Sequence, residues 1–128
     1  MTILSVELGA TLPVGNEQVT LFIPSKDQIG QTIDQNYWTD QALATLGRLF
    51  RGATAFPPGK GVWRNDARGG ELVYEPIVMV TSFVPIDELM NHMGQLKTFL
   101  HRLGREANQG EVGIVVGGCY HGITTFAI

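Results

Sequence analysis

The apolar residues between positions 86 and 103 constrain the fold of this chain more than any other feature. They recur at intervals of three, four and seven residues over about five turns, which predicts one amphipathic helix with a single buried face. Asp87 and Glu88 lie in its first turn, and Arg102 and Arg105 lie near its end, as the helix dipole favours. Such a helix needs a second layer that covers its apolar face.

The strongest strand signal lies just before this helix, at residues 71–83. The later half of the segment is apolar on both alternating faces, which is typical of a central strand. Pro76 has no N–H for a strand ladder, so we expect a bulge or an unpaired edge at that position.

Weaker patterns complete the N-terminal half. Alternating residues at 3–12 and at 17–23 predict a hairpin around a turn at Pro13, and residues 25–37 read as irregular and exposed. An apolar stripe predicts a helix at residues 39–51, capped by Thr39 or Asp40 and ended by Gly52 in a left-handed conformation. A short strand within residues 53–63 is left open.

In the C-terminal half, residues 111–116 predict a strand, the glycine-rich residues 117–122 a turn, and residues 123–128 a closing strand. The order is then β-β-α-(β)-β-α-β-β in a single domain spanning residues 1–128. It predicts a two-layer α+β sandwich with a ferredoxin-like, antiparallel-rich sheet and two helices on one face.

Composition excludes several classes of protein. With 44% hydrophobic and 16% charged residues the chain should fold, and it holds no uncharged apolar run of membrane-spanning length. The first residues lack the basic region of a signal peptide, and the lone Cys119 cannot form an internal disulfide, so we expect a cytoplasmic location. The formal net charge of -3 argues against binding to duplex nucleic acid.

Five of the nine Lys and Arg residues fall in one loop-rich stretch, and they are Arg48, Arg51, Lys60, Arg64 and Arg68. A cationic loop on an acidic protein predicts a site for a small anionic ligand or a nucleotide. The alternative is that these side chains are simply solvated, and the helix dipole already accounts for two of them. Gly59, Lys60 and Gly61 do not form a Walker loop, because Thr54 replaces its first glycine.

Glu75 is the strongest candidate for an acid–base group. It should share a strand face with Ile77 and Met79, where a carboxylate either lies at an exposed sheet end or pairs with a cation. Arg51 and Arg64 are the partners we expect. Trp63 and Tyr74 flank the same region and could form a flat pocket wall, although core packing is the usual role of aromatic residues.

The three histidines do not predict a metal site. His92 and His101 fall on opposite sides of one helix, and Cys119 with His121 supplies only two ligands. A Cys119–His121 nucleophile pair lacks an orienting third group, so a small buried thiol is the preferred interpretation. The sequence predicts no cofactor.

The chain resembles small bacterial ferredoxin-like α+β domains of uncharacterised function. The resemblance rests on Phe50, the Gly52-Ala53-Thr54 run, Gly61, the Trp63-Arg64 pair and Glu75, and it covers residues 37–128. It implies that Thr54, Trp63, Arg64 and Glu75 form a shared site.

Three functions remain open. The preferred one is an oligomeric binding or regulatory module in which Arg51, Thr54, Lys60, Trp63 and Arg64 hold an anionic ligand. The second is a small dimeric enzyme with Glu75 or His121 as general acid or base. The third is a structural assembly protein, because a two-layer sandwich leaves one sheet face uncovered. We expect self-association in each case.

Overall fold

The computed structural model describes residues 2–127, and these form six antiparallel strands and four α-helices. The strands are β1 (Glu17–Ile23), β2 (Thr54–Ala55), β3 (Gly59–Asn65), β4 (Glu71–Val84), β5 (Val112–Val116) and β6 (Cys119–Ile123). The helices are α1 (Ile3–Leu8), α2 (Gln35–Phe50), α3 (Ile86–Asn91) and α4 (Met93–Glu106). A 3-10 turn, Asp66–Arg68, joins β3 to β4.

The predicted two-layer α+β fold is confirmed. Strands follow the order β2-β4-β1-β5-β6 across the sheet, and β3 pairs with β4 outside that path. The β1-α2-β2-β4-(α3-α4)-β5 portion therefore has the ferredoxin-like strand order, with β3 inserted into its central hairpin and β6 added at one edge.

The core lies between the helices and one face of the sheet. Alternate residues of β1 and β4, such as Leu21 and Val80, are fully buried against Leu46 of α2 and Leu103 of α4. Along this surface, every second residue of the strands packs against the apolar stripes of the helices, whose side chains recur about every 3.6 residues. Within residues 2–127, no helix covers the opposite face of the sheet.

Helix α2 begins four residues earlier than predicted. The Asp34 side chain accepts a hydrogen bond from the Tyr37 N–H and caps the helix there, which places Trp38 in the core. At the other end the left-handed residue is Arg51 and not Gly52, so the predicted glycine cap is wrong.

The long C-terminal helix is interrupted at His92. Its backbone angles (φ -113°, ψ 13°) leave the helical region, and the apolar stripe continues in α4 from a new start. The predicted stripe is correct for Leu89, Leu96, Phe99, Leu100 and Leu103, which are buried, and wrong for Ile86, Met90 and Met93, which are exposed around the interruption.

The predicted N-terminal strand is wrong, because residues 3–8 form helix α1. Thr2 caps this helix by accepting from the Ser5 N–H, and Gly9 ends it in the left-handed conformation. None of its residues is buried, and no sheet edge pairs with it. The β1 strand at Glu17–Ile23 is as predicted.

The C-terminal hairpin has a tighter turn than predicted. Gly117 and Gly118 both have positive φ and form a two-residue connection, so β6 starts at Cys119. Cys119 is consequently exposed, and the expected buried thiol is wrong. The closing strand predicted at 123–128 is wrong for residues 124–127, because β6 ends at Ile123, and Ile128 lies outside the described residues.

No helix within residues 2–127 combines the length and the apolar character that crossing a membrane requires.

Candidate functional site

Strand β4 is long enough to pair with two different strands along its length. Its residues 78–84 pair with β1 in the centre of the sheet, whereas residues 71–77 pair with β3 alone. The β3–β4 ribbon therefore projects beyond the helix-covered sheet. Pro76 lies in this projecting half, where one edge of β4 lacks a β1 partner, and the unpaired-edge alternative predicted for it is the one found.

A glycine allows the ribbon to pack closely. Gly61 pairs with Glu75, and a β-carbon at position 61 would lie 2.6 Å from Cγ1 of Ile77. The Gly59-Lys60-Gly61 segment is thus part of a strand, and Gly61 is needed there because a larger residue would clash with the Ile77 side chain. This agrees with the rejection of a phosphate-binding loop.

The ribbon and the uncovered sheet face enclose an open cavity of about 740 Å³. Phe22 and Met79 contribute apolar surface from the sheet, Ile77 and Trp63 from the ribbon, and Tyr120 from β6. A volume of this size suits a ligand as large as a nucleoside. We call it the open-face cavity.

Glu75 is the most unusual residue of the open-face cavity. The residue is only 9% exposed, and its carboxylate takes part in no hydrogen bond or ion pair between described residues. Burial raises the pKa of its carboxyl above the ordinary value of 4.5, and the positive charge of Lys26 partly opposes that rise. The expected partners, Arg51 and Arg64, do not contact it, so that pairing is wrong.

The loop after β1 brings Lys26 to the cavity. Its backbone is held by the Asp27 carboxylate, which accepts hydrogen bonds from the N–H groups of Ile29 and Gln31. Desolvation alone would raise the pKa of Asp27, but these backbone hydrogen bonds lower it. Gln109 adds a hydrogen bond from its amide to the Lys26 carbonyl (3.0 Å). Lys26 is therefore presented by a structured loop.

The cations of the predicted cluster do not converge on one site. Lys60 and Arg64 border the cavity, but Arg64 Nε lies 2.6 Å from Asp66 Oδ1 and Lys60 Nζ lies 5.8 Å from the centre of the Tyr74 ring. By the strand register, Lys60 and Arg64 point to the Tyr74 face of the ribbon, so the charged side chains on the cavity side are Lys26, Asp27, Glu75 and Glu111. A lining of one cation and three carboxylates suits a ligand that carries positive charge better than a simple anion.

The remaining predicted site residues are not brought to the cavity. Arg51 is the exposed residue that ends α2, and Thr54 pairs with Thr81 at the start of β2. His121 is exposed on β6 and alternates with Tyr120, so it lies on the other side of the sheet from the cavity. Tyr74 likewise lies on the ribbon face opposite Trp63. Their functional roles stay predictions.

Several residues of the cavity were not predicted from the sequence, among them Lys26, Tyr120 and Glu111. The phenol of Tyr120 donates a hydrogen bond to Glu111 Oε2, and burial together with this carboxylate raises the pKa of Tyr120 to about 12. Tyr120 was missed because the glycine-rich residues 117–122 were predicted to form a turn. The alternation of Tyr120 with Gly118 and Gly122 was the signal that could have placed it on a strand.

Among residues 2–127, no three His, Cys, Asp or Glu side chains are grouped in a way that could hold a metal ion.

Comparisons with known proteins identify the fold. No protein-family model and no curated relative matches the chain. A solved structure of a phage SAM lyase in complex with S-methyl-5'-thioadenosine superposes with a TM-score of 0.67 at 17% identity, covering 90% of this chain and 94% of that one. The phage SAM lyase in its apo state gives a TM-score of 0.60 at 18% identity, with the same coverage. At these identities the likeness shows the fold alone, and it agrees with the resemblance to small α+β domains.

Proposed function

We propose that the open-face cavity binds S-adenosylmethionine (SAM) and that the protein is a lyase that cleaves it. The observation that carries the proposal is Glu75, a 9% exposed carboxylate without a protein partner in a cavity of nucleoside size. Holding such a group ionised is costly unless an opposite charge offsets the lost hydration. The sulfonium of SAM is a compact cation that would do so. The fold shared with a phage SAM lyase supports this choice of ligand.

The other charges of the lining fit the rest of SAM. Its amino-acid end carries an ammonium and a carboxylate, and the cavity offers the amine of Lys26 together with the carboxylates of Asp27 and Glu111. Trp63 and Tyr120 offer aromatic surface to the adenine. This ligand replaces the simple anion that the cation cluster predicted.

The reaction needs no metal or redox partner. When the bond between the sulfonium sulfur and the γ-carbon breaks, its electron pair stays on sulfur and neutral methylthioadenosine leaves. The four-carbon fragment is completed in one of two ways. Its own carboxylate attacks the γ-carbon and gives a γ-lactone, or a base removes a β-proton and gives an unsaturated amino acid. Glu75 is the counter-ion of the sulfonium in the first route and the base in the second.

Binding tests the role of Glu75 without requiring catalysis. Calorimetry should show that Glu75→Gln weakens SAM by about 10- to 150-fold, as expected for a charge-assisted contact, and changes the affinity for uncharged methylthioadenosine little. Glu71→Gln is the matched control, because Glu71 is an exposed carboxylate on the same strand. Equal SAM affinity in wild type and Glu75→Gln would remove Glu75 from the proposal.

Product analysis tests the chemistry. Wild type incubated with SAM should release methylthioadenosine, detected by chromatography and mass spectrometry, and Glu75→Gln should lower the rate by about 100-fold or more. The mass and fragmentation of the four-carbon product distinguish the lactone from the unsaturated amino acid. SAM binding without turnover would favour the binding-module function over the enzyme.

We also propose that the chain self-associates. The outer face of the β3–β4 ribbon exposes Val62, Leu72 and Tyr74, and α1 exposes further apolar side chains. Clustered exposed apolar surface is typical of an interface. Light scattering at micromolar concentration should give a mass above that of one chain, and Leu72→Lys should reduce it. A monomeric wild type would contradict the proposal. The cytoplasmic location stays a prediction.

A further inference from the structure

The Tyr120 side chain rests on backbone that carries no side chains. Gly113 on β5 pairs with Gly122 on β6, and both lie under the ring. A β-carbon at Gly113 would be 2.6 Å from Cε2 of Tyr120, and one at Gly122 would be 3.4 Å from Cε1. A larger residue at position 113 would therefore push the ring out of its place.

Three further contacts fix the ring. Its hydroxyl donates to Glu111, the residue that precedes β5, and the centre of the ring lies 6.3 Å from that of Phe22 at an angle of 45°. Tyr120 is nevertheless 56% exposed and lines the open-face cavity. The side chain is thus held in position while much of its surface stays free for a ligand.

The position of Tyr120 relative to Glu75 gives the cavity two chemically different ends. Strands β4 and β6 are separated by β1 and β5, which places their backbones about 14 Å apart at the usual strand spacing. Tyr120 leans over β5 toward Phe22 of β1 and shortens that span. One end therefore offers an aromatic surface, and the other a buried carboxylate with Lys26.

We propose that Tyr120 is the platform on which the ligand's purine base stacks, and that it makes the site favour nucleosides over sugars that lack a base. This rests on the proposed function, because it assigns one end of the same ligand. Gly113 and Glu111 are positioning residues: the first leaves room for the ring, and the second holds its hydroxyl. Stacking on an aromatic side chain requires a flat π-system and so discriminates against ligands that have the sugar without the base.

Calorimetric titrations with adenosine, methylthioadenosine and methylthioribose test the platform. Tyr120→Ala should weaken both nucleosides by about 5- to 150-fold, while methylthioribose, which lacks the base, should change less than twofold. Tyr120→Phe keeps the ring and should stay within about threefold of wild type. Gly113→Ala should behave like Tyr120→Ala because it displaces the same ring.

Tyr74→Ala is the matched control. Tyr74 is 55% exposed, nearly the same as Tyr120, but lies on the outer face of the ribbon, so its removal should leave nucleoside binding unchanged. Thermal unfolding of every variant shows that it is folded when titrated.

The outcomes separate this inference from the proposed function. If wild type binds SAM and Tyr120→Ala binds both nucleosides equally well, the platform is overturned and the lyase proposal stands. If wild type binds adenosine through Tyr120 but neither binds nor cleaves SAM, the platform stands and the lyase proposal fails. If wild type binds none of adenosine, methylthioadenosine and SAM, both the platform and the lyase proposal fail.

Discussion

Lys26 and Glu75 lie on the same cavity, and the positive charge of Lys26 opposes the rise in pKa that burial gives the Glu75 carboxyl. Neither residue belongs to the stretch of residues 48–68 that carries five of the nine Lys and Arg residues. The loop after β1 supplies the amine, and the projecting half of β4 supplies the carboxylate. The electrostatics of the site therefore depend on how these two segments are held together.

Removing the charge of Lys26 should raise the pKa of Glu75 further. In Lys26→Met the burial effect remains and the opposing charge is gone, so the carboxyl should titrate at a higher pH than in wild type. A carbon-detected NMR titration of the Glu75 carboxyl measures this directly. Lys97→Met on the exposed surface of α4 is the control and should leave the titration unchanged. An equal pKa in Lys26→Met and wild type would show that the two groups do not interact.

Glu75 should make the free protein less stable as the pH rises. Because its folded-state pKa is raised, the folded state holds the proton more tightly than the unfolded state does. The free energy of unfolding then falls as the pH rises from about the unfolded value of 4.5 through the folded pKa, and stays lowered above it. Glu75→Gln should remove this fall and stabilise the protein at pH 7 by about 1 kcal/mol.

Urea unfolding of wild type and Glu75→Gln across this pH range measures the difference. Glu71→Gln should follow wild type. A Glu75→Gln protein that is less stable than wild type at pH 7 would mean that the carboxylate has a stabilising partner.

Gly104 should be intolerant of a side chain. A β-carbon there would overlap the Phe126 ring, which packs on α4 beside His101. Gly104→Ala should therefore cost about 1–3 kcal/mol of unfolding free energy, as overpacking does. Gly47→Ala in α2 meets no atom within 4 Å and should instead stabilise by about 0.5–1 kcal/mol. Chemical denaturation of both variants tests the opposite signs, and a stabilised Gly104→Ala would contradict the packing of Phe126.

The segment that carries α1 should contribute little to the stability of one chain. None of the α1 residues is buried, whereas Asn16 accepts a hydrogen bond from the Ile86 N–H and marks where the chain joins the fold. Deletion of residues 2–11 should change the free energy of unfolding at low protein concentration by less than about 0.5 kcal/mol. Urea unfolding measures it, and a loss above about 1 kcal/mol would show that α1 packs on the fold.

The sequence predicted the elements whose patterns are long and consistent. The stripe that contains Leu89, Leu96 and Leu103 and the apolar residues of β4 were sufficient for the two-layer fold, because the stripe and one face of the strand are buried against the same core. The wrong predictions concern short segments in which the local sequence is compatible with more than one secondary structure. Residues 3–8 alternate like a strand, but capping by Thr2 and the absence of a sheet partner favour a helix.

The candidate site was only partly predictable for a related reason. Trp63 and Glu75 were identified because they flank Gly61 and Pro76 on neighbouring strands, where residue type alone is informative. Lys26 and Tyr120 were missed because they reach the cavity through tertiary structure: one by a loop held by Asp27, the other by a two-glycine turn. Local sequence could have placed Tyr120 on a strand, but it does not show that either residue reaches the cavity.

The pairing of β4 with two different partners has a consequence for how such a protein could diversify. Residues 78–84 pair with β1 in the sheet, whereas residues 71–77 pair with no strand other than β3. Substitutions in the ribbon can therefore reshape the cavity wall without breaking a hydrogen bond between β4 and β1. Proteins with this fold could accept different ligands on the same sheet.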